Sequence, residues 1–169
     1  MSVFYLFSVW LHILAAATWL GGMLFFVIVL VPITRRAEYK GIAGELMQWL
    51  GERFRWLGWI CFGLLIATGT VNLIYRGVTW VSLGDVRFWG GPFGQTLGMK
   101  LFLVASILIA SAYHDFFVGP QATAVWQAAP TSPTAHRLRW QARWLGRMNL
   151  LLALLVVALA VMLVRGRPW

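Results

Sequence analysis

Long apolar stretches dominate the chain, and the charged residues and prolines are concentrated in the segments between them. Four stretches are long enough to cross a bilayer, at residues 3–33, 57–75, 97–118 and 148–164, since a transmembrane helix needs about 20 mostly apolar residues. The pattern predicts an all-α integral membrane protein, a four-helix bundle that forms a single transmembrane domain over residues 1–169.

The composition agrees with a membrane protein, because 60% of the 169 residues are hydrophobic and only 11% are charged, far from the balance of a soluble domain. The single cysteine, Cys61, excludes a disulfide within one chain. We interpret Cys61 as a small packing residue of the second span.

The net charge of +9 lies beside the spans rather than along one soluble face. Nine basic residues occupy the first and third loops, and four lie near the second loop or after the last span. This bias sets membrane topology, with basic loops inside, so we predict that both termini face outward. We expect no nucleic-acid partner. The loop residues are Arg35, Arg36, Lys40, Arg53 and Arg55, then Arg137, Arg139, Arg143 and Arg147.

The loops carry three further patterns. Ile42, Leu46 and Leu50 repeat at helical spacing, which predicts an amphipathic helix at the cytoplasmic surface. The glycines and aromatic residues of the second loop, 76–96, indicate irregular backbone. Gly119-Pro120 and then Pro130-Thr131-Ser132-Pro133 are expected to stop the third span and to keep the connection from continuing as one helix.

His12 is the main candidate for chemistry, because it lies within the first apolar stretch. An imidazole in hydrocarbon loses its hydration and needs a partner, a cavity or a metal. Counting about 1.5 Å per residue from Val3 places His12 roughly 14 Å below the outer end of its helix. Trp19 shares its helical face.

Other polar residues are expected at similar depth, in the outer half of the membrane. They predict an outward-opening pocket with His12 at its floor. Each has an alternative role: Lys100 can extend to the outer interface, Thr68 can bond its own helix, and Asn72 can bridge two helices. These residues are Ser8, Thr68, Asn72, Lys100 and Ser106.

His114 is expected near the inner interface, between Tyr113 and Asp115. A surface histidine paired with a carboxylate is the first interpretation, and a cofactor ligand is the second. The counted depths of His12 and His114 differ by about 12 Å, which disfavours both binding one haem iron.

Two cofactors suit a lone imidazole in this setting. Cu(I) favours imidazole and thioether ligands, and Met99 supplies a thioether in the outer half. A haem b held by His12 alone, or with another sixth ligand, remains open. Methionines in apolar helices are more often packing residues than ligands.

The chain resembles the copper resistance D (CopD) family of bacterial inner-membrane proteins, as a stand-alone four-span form. The resemblance rests on Leu11-His12-Ile13, Trp19-Leu20-Gly21-Gly22, the Thr68-Gly69 step, Gly98-Met99-Lys100-Leu101, Tyr113-His114-Asp115-Phe116 followed by Gly119-Pro120, and Leu145-Gly146-Arg147-Met148-Asn149-Leu150. It implies copper handling or uptake across a bacterial inner (plasma) membrane. The HemJ-type protoporphyrinogen oxidases have a similar histidine in span one and a similar lysine-to-histidine arrangement in span three, which implies haem b and quinone-linked oxidation.

Three functions follow from these features. The first is a CopD-like protein that binds copper, or a metal cofactor such as haem b, in the predicted pocket. The second is a HemJ-like oxidoreductase, in which Lys100 meets a substrate carboxylate. The third is a cofactor-free assembly subunit whose polar residues bind other helices, in a homo-oligomer or beside a membrane partner. Whether the chain is an enzyme stays open.

Overall fold

The computed structural model describes residues 2–129 and 132–166, apart from the side chains of Lys40, Trp126 and Gln127. The described residues are almost entirely helical and include no strand. Four helices are long and apolar enough to cross a membrane: Val3–Ile33, Gly41–Tyr75, Pro92–Val125 and Pro133–Arg165. The prediction of an all-α, multi-pass membrane protein is therefore confirmed, whereas the outward orientation of the termini stays a prediction.

The helices are numbered here in chain order. They are α1 (Val3–Phe25), α2 (Lys40–Tyr75), α3 (Trp80–Gly84), α4 (Val86–Gly90), α5 (Pro92–Tyr113), α6 (Gly119–Ala128) and α7 (Pro133–Arg165). Two π-helical turns, Phe26–Leu30 and His114–Val118, continue α1 and α5 without a break. The helices divide into two compact units, with the boundary between Thr79 and Trp80. Each unit is described by itself, and the single domain stays a prediction.

The first unit is an antiparallel pair, α1 against α2. Its ring contacts run from Tyr5 with Tyr75, 5.2 Å apart, to Phe26 with Phe54, 5.1 Å apart. Cys61 is 3% exposed in this core. Its burial agrees with a packing role.

Helix α2 has 36 residues and is roughly 54 Å long, against a hydrocarbon core of about 30 Å. The predicted amphipathic segment after the first span is thus helical, and it continues into the second span as one helix. Trp49 and Arg53 lie on this extension, with the guanidinium 5.2 Å from the ring centroid.

The second unit pairs α5 with α7, and Leu97, Ile107 and Ala153 are buried in it. The prediction of irregular backbone in the second loop is wrong, because α3 and α4 occupy much of it and α5 already begins at Pro92. The indole nitrogen of Trp89 donates to the carbonyl oxygen of Leu83 at 2.9 Å, which ties the two short helices together.

The expectation that Gly119-Pro120 stops the third span is also wrong, because α6 carries the helix on to Ala128. Of the later stop, Pro130 and Thr131 lie outside the described residues, and α7 begins at Pro133. Proline lacks an amide proton and its ring crowds the carbonyl four residues earlier. The π turn before it relieves this conflict, since the amide of Gly119 reaches back to His114. Pro32 follows the other π turn in the same way, and there the amide of Val31 reaches back to Phe26.

Candidate functional site

His12 and Thr68 form the central contact of the candidate site, in the first unit. The imidazole Nδ1 of His12 lies 2.8 Å from the hydroxyl Oγ1 of Thr68. Thr68 is 7% exposed, whereas His12 is half-buried. Because α1 and α2 are antiparallel, a residue early in the first span meets one late in the second.

The direction of the hydrogen bonds at Thr68 determines which ring nitrogen of His12 carries the proton. The Thr68 hydroxyl donates to the carbonyl oxygen of Leu64 at 2.5 Å, and a hydroxyl has only one proton to donate. Oγ1 must therefore accept the bond from His12, so Nδ1 carries the ring proton. Nε2 then carries the lone pair, with which a neutral imidazole accepts a hydrogen bond or binds a metal.

Ser8 and Gly69 complete the surroundings of the ring. Ser8, 4% exposed, donates from Oγ to the carbonyl oxygen of Thr68 at 3.4 Å. A Cβ on Gly69 would lie 3.4 Å from His12 Cε1, so the ring passes close over this glycine. The first unit thus brings together the predicted site residues Ser8, His12 and Thr68.

Asn72 lies one turn beyond Thr68 on α2, as the four-residue spacing predicted. Its side-chain oxygen Oδ1 is buried and has no hydrogen-bond partner among the described residues. A buried amide oxygen without a donor is costly. A hydrogen-bond donor beside Asn72, from a water or a ligand, would therefore remove this cost.

Trp19, predicted as a pocket residue, is 8% exposed and packs in the α1–α2 core. Its ring lies 4.8 Å from that of Phe62, between centroids, and its Cδ1 would be 3.5 Å from a Cβ on Gly58. These contacts give Trp19 a packing role two turns along α1 from His12, and its role in the pocket stays a prediction. Thr70, in contrast, is exposed and bonds its own helix at Ile66.

The other predicted site residues lie in the second unit. Lys100 is half-buried on α5, and the neighbouring Met99 is 57% exposed. His114 Nδ1 lies 2.8 Å from a carboxylate oxygen of Asp115, which agrees with the local pairing expected for a surface histidine. A metal-ligand role for Met99 and a cofactor role for Lys100 and His114 stay predictions.

The second unit also holds a buried polar pair, Asn149 with Ser111. Asn149 Nδ2 donates to Ser111 Oγ at 2.9 Å, and both residues are buried. Sequence patterns suggest an inner polar layer that includes Asn149, and Ser111 shares a helical face with His114. Among the described residues, no group of three or more His, Cys, Asp or Glu side chains is arranged to hold a metal ion.

Comparisons with known proteins agree with the membrane fold. The family model for copper resistance protein D matches residues 49–163, which is more than half of the chain. An uncharacterized protein of Aquifex aeolicus (strain VF5) is 32% identical over 152 residues, covering 89% of this chain and 89% of that protein. An ammonium transporter of Bacillus subtilis (strain 168) is 25% identical over 104 residues, or 55% of this chain and 26% of the transporter. No solved structure matches the chain.

Proposed function

The chain belongs to the copper resistance protein D family, and from this membership we propose that it handles copper ions within a bacterial inner membrane, with His12 as the first copper ligand. The family makes it a copper-resistance-related membrane protein. Binding at His12, within a pocket that opens outward, and a part in moving the ion across the membrane are the steps proposed here.

The observation that carries the proposal is the fixed tautomer of His12. A metal-binding histidine commonly donates its other ring proton to a neighbouring acceptor, which orients the ring and makes the ligating nitrogen more basic. The Thr68 hydroxyl supplies that acceptor at 2.8 Å, and its own proton is committed to Leu64. Nε2 is therefore the ring nitrogen that we propose binds the metal.

The chemistry of the predicted ligands suits copper. Imidazole and thioether groups are ligands that Cu(I) accepts. Met99, in the second unit, carries an exposed thioether, and its role as a metal ligand stays a prediction. Thr68 positions the imidazole, and Asn72 offers a buried amide oxygen to a water or ligand that accompanies the ion.

Haem b would use the same nitrogen of His12. A role for Lys100, in the second unit, in holding an anionic group such as a propionate stays a prediction. A HemJ-like oxidoreductase that passes electrons to quinone extends this alternative. Among the described residues of the two units, no contact favours haem over copper, so the two are separated by experiment.

The test compares the wild type with His12→Gln and His136→Gln in detergent. His136 is an exposed histidine at the start of α7, so its variant is matched for the loss of one imidazole. The proteins are loaded with Cu(I) under reducing conditions, copper is measured after gel filtration, and affinity is measured against a chromogenic chelator. We expect stoichiometric copper in the wild type and in His136→Gln, and at least about tenfold weaker binding in His12→Gln.

Equal copper affinity in the two variants would overturn the assignment of His12. An absorption spectrum of the untreated protein separates the alternatives. A Soret band that is lost in His12→Gln would show that His12 binds haem rather than copper. A protein with neither haem nor copper affinity is a cofactor-free assembly subunit. Elution volume and far-ultraviolet circular dichroism verify that each variant is folded.

A further inference from the structure

A shallow groove of about 260 Å³ lies between the end of α5 and the first half of α7 in the second unit. Its lining combines aromatic rings with flexible apolar side chains. The rings are also well exposed, at 53% for Tyr113, 56% for Trp140 and 49% for Trp144. The lining residues are Tyr113, Trp140, Gln141, Trp144, Leu145 and Met148.

Arg137 stands at one end of this groove. It precedes Trp140 by three residues and Gln141 by four, so it lies on the same side of α7 as the lining. The groove side of α7 therefore changes along its length, from Arg137 and Gln141 at the start to Leu145 and Met148 further on. A guanidinium and an amide are followed by apolar surface.

Positive charge predominates on the half of α7 that borders the groove. This half contains Arg137, Arg139, Arg143 and Arg147, and α7 has no acidic residue. Asp115, two residues beyond Tyr113, is paired with His114. Arginine binds phosphate oxygens through parallel hydrogen bonds. Tryptophan and tyrosine prefer the level at which lipid headgroups meet hydrocarbon. The hydrophobic part of the span begins near Met148, so the groove lies where lipid headgroups meet hydrocarbon.

We propose that this groove binds one anionic phospholipid, with its phosphate at Arg137 and an acyl chain along Trp144, Leu145 and Met148. The order of side chains along α7 matches the order of groups in a phospholipid, from charged headgroup to hydrocarbon. A soluble anion would use only the first part of that sequence, and a neutral lipid only the second. The assignment does not depend on copper binding.

The experiment uses the full chain and phosphatidylglycerol as the probe, with phosphatidylcholine as the zwitterionic control. Variants are Arg137→Gln and Arg139→Gln, which remove the same charge. Arg139 lies two residues from both Arg137 and Gln141, hence on the opposite side of the helix. Native mass spectrometry counts retained lipids, and the thermal midpoint is measured with each lipid and with glycerol phosphate, the headgroup alone.

We expect one retained phosphatidylglycerol and a raised thermal midpoint for the wild type and for Arg139→Gln. Retention by Arg137→Gln should fall about tenfold, the size of one lost charge-assisted contact. Equal losses in the two variants would show a diffuse surface charge and overturn the site. Equal stabilisation by phosphatidylcholine, or by glycerol phosphate alone, would also overturn it. Matching midpoints of the two variants without lipid verify that both fold.

Discussion

The imidazole Nδ1 of His12 donates to the hydroxyl of Thr68 across 2.8 Å, and that hydroxyl in turn donates to the carbonyl of Leu64. A side chain of α1 is thereby held by the backbone of α2 through one threonine. The bond to the threonine hydroxyl fixes the ring orientation and the nitrogen that remains basic. Both properties depend on a hydroxyl at position 68.

Thr68→Val should weaken copper binding by about 10- to 100-fold, because it removes the group that orients the ligating histidine. The substitution keeps the branching of the side chain and removes the acceptor of the Nδ1 proton. The measurement is the Cu(I) affinity of purified protein by chelator competition. A change confined to protein yield, with unchanged affinity, would show that Thr68 only packs.

Thr70→Val is the matched control for this prediction. Thr70 is an exposed threonine two residues along the same helix, on a face that points away from that of Thr68. Its hydroxyl donates to the carbonyl oxygen of Ile66, as that of Thr68 donates to Leu64. We expect its copper affinity to equal that of the wild type. Loss of affinity in both variants would indicate a general effect on α2.

Gly22→Ala should destabilise the first unit, because the added Cβ would overlap the ring of Phe54. That ring is held against Phe26, with centroids 5.1 Å apart, so it has little room to move. Overpacking of this kind costs about 1–3 kcal/mol. The free energy of unfolding, measured by titrating an anionic detergent into mixed micelles, gives the size of the loss.

The neighbouring Gly21 provides the control, because nothing lies within 4 Å of a Cβ placed there. Alanine favours helix over glycine by about 1 kcal/mol, so Gly21→Ala should be neutral or slightly stabilising. If both alanine variants lower stability alike, the close approach of α1 to Phe54 is not the cause.

Much of the architecture could be predicted from the chain, because long apolar stretches admit few structures other than membrane helices. The effect of the prolines on the helices could not be predicted by the same rules. Pro120 ordinarily ends a helix, yet the π turn from His114 to Val118 lets the backbone continue. Such a turn depends on how the flanking helices pack, which local sequence does not encode.

The site was predicted in part. Counting depth along two antiparallel spans placed His12 and Thr68 in the same half of the membrane, and their hydrogen bond agrees with that count. The sequence offers two alternative roles for Thr68, a place in the pocket or a bond to its own helix. In the structure Thr68 bonds its own helix and also contacts His12. The structure shows that the bond from Thr68 to Leu64 determines the direction of the bond between His12 and Thr68.

Gly94→Ala should detach α4 from the start of α5. A Cβ at this position would overlap the carbonyl of Phe88 and the backbone of Trp89, and backbone atoms cannot rotate away as a side chain can. Trypsin cleavage after the exposed Arg87 should become several-fold faster, since opening exposes the backbone. The control is Gly90→Ala, with open space around its Cβ. Equally fast cleavage of both variants would contradict this explanation.

Ser111→Ala should lower the free energy of unfolding by about 1–3 kcal/mol, because it leaves the buried amide of Asn149 without its acceptor. Ser111 and Asn149 are 6% and 7% exposed, and their bond is 2.9 Å long. Asn149 Oδ1 already has no hydrogen-bond partner among the described residues. The amide is thus only half satisfied before the substitution.

Adding Asn149→Leu to Ser111→Ala should recover most of the lost stability, since leucine matches the branching of asparagine without a polar atom to desolvate. Asn149→Leu alone should cost little, because the Ser111 hydroxyl can then donate to the carbonyl one turn earlier on its own helix. Unfolding titrations of all four proteins in mixed micelles complete the cycle. A double variant no more stable than Ser111→Ala would mean that the asparagine oxygen binds a donor, such as an internal water, whose contribution is worth keeping.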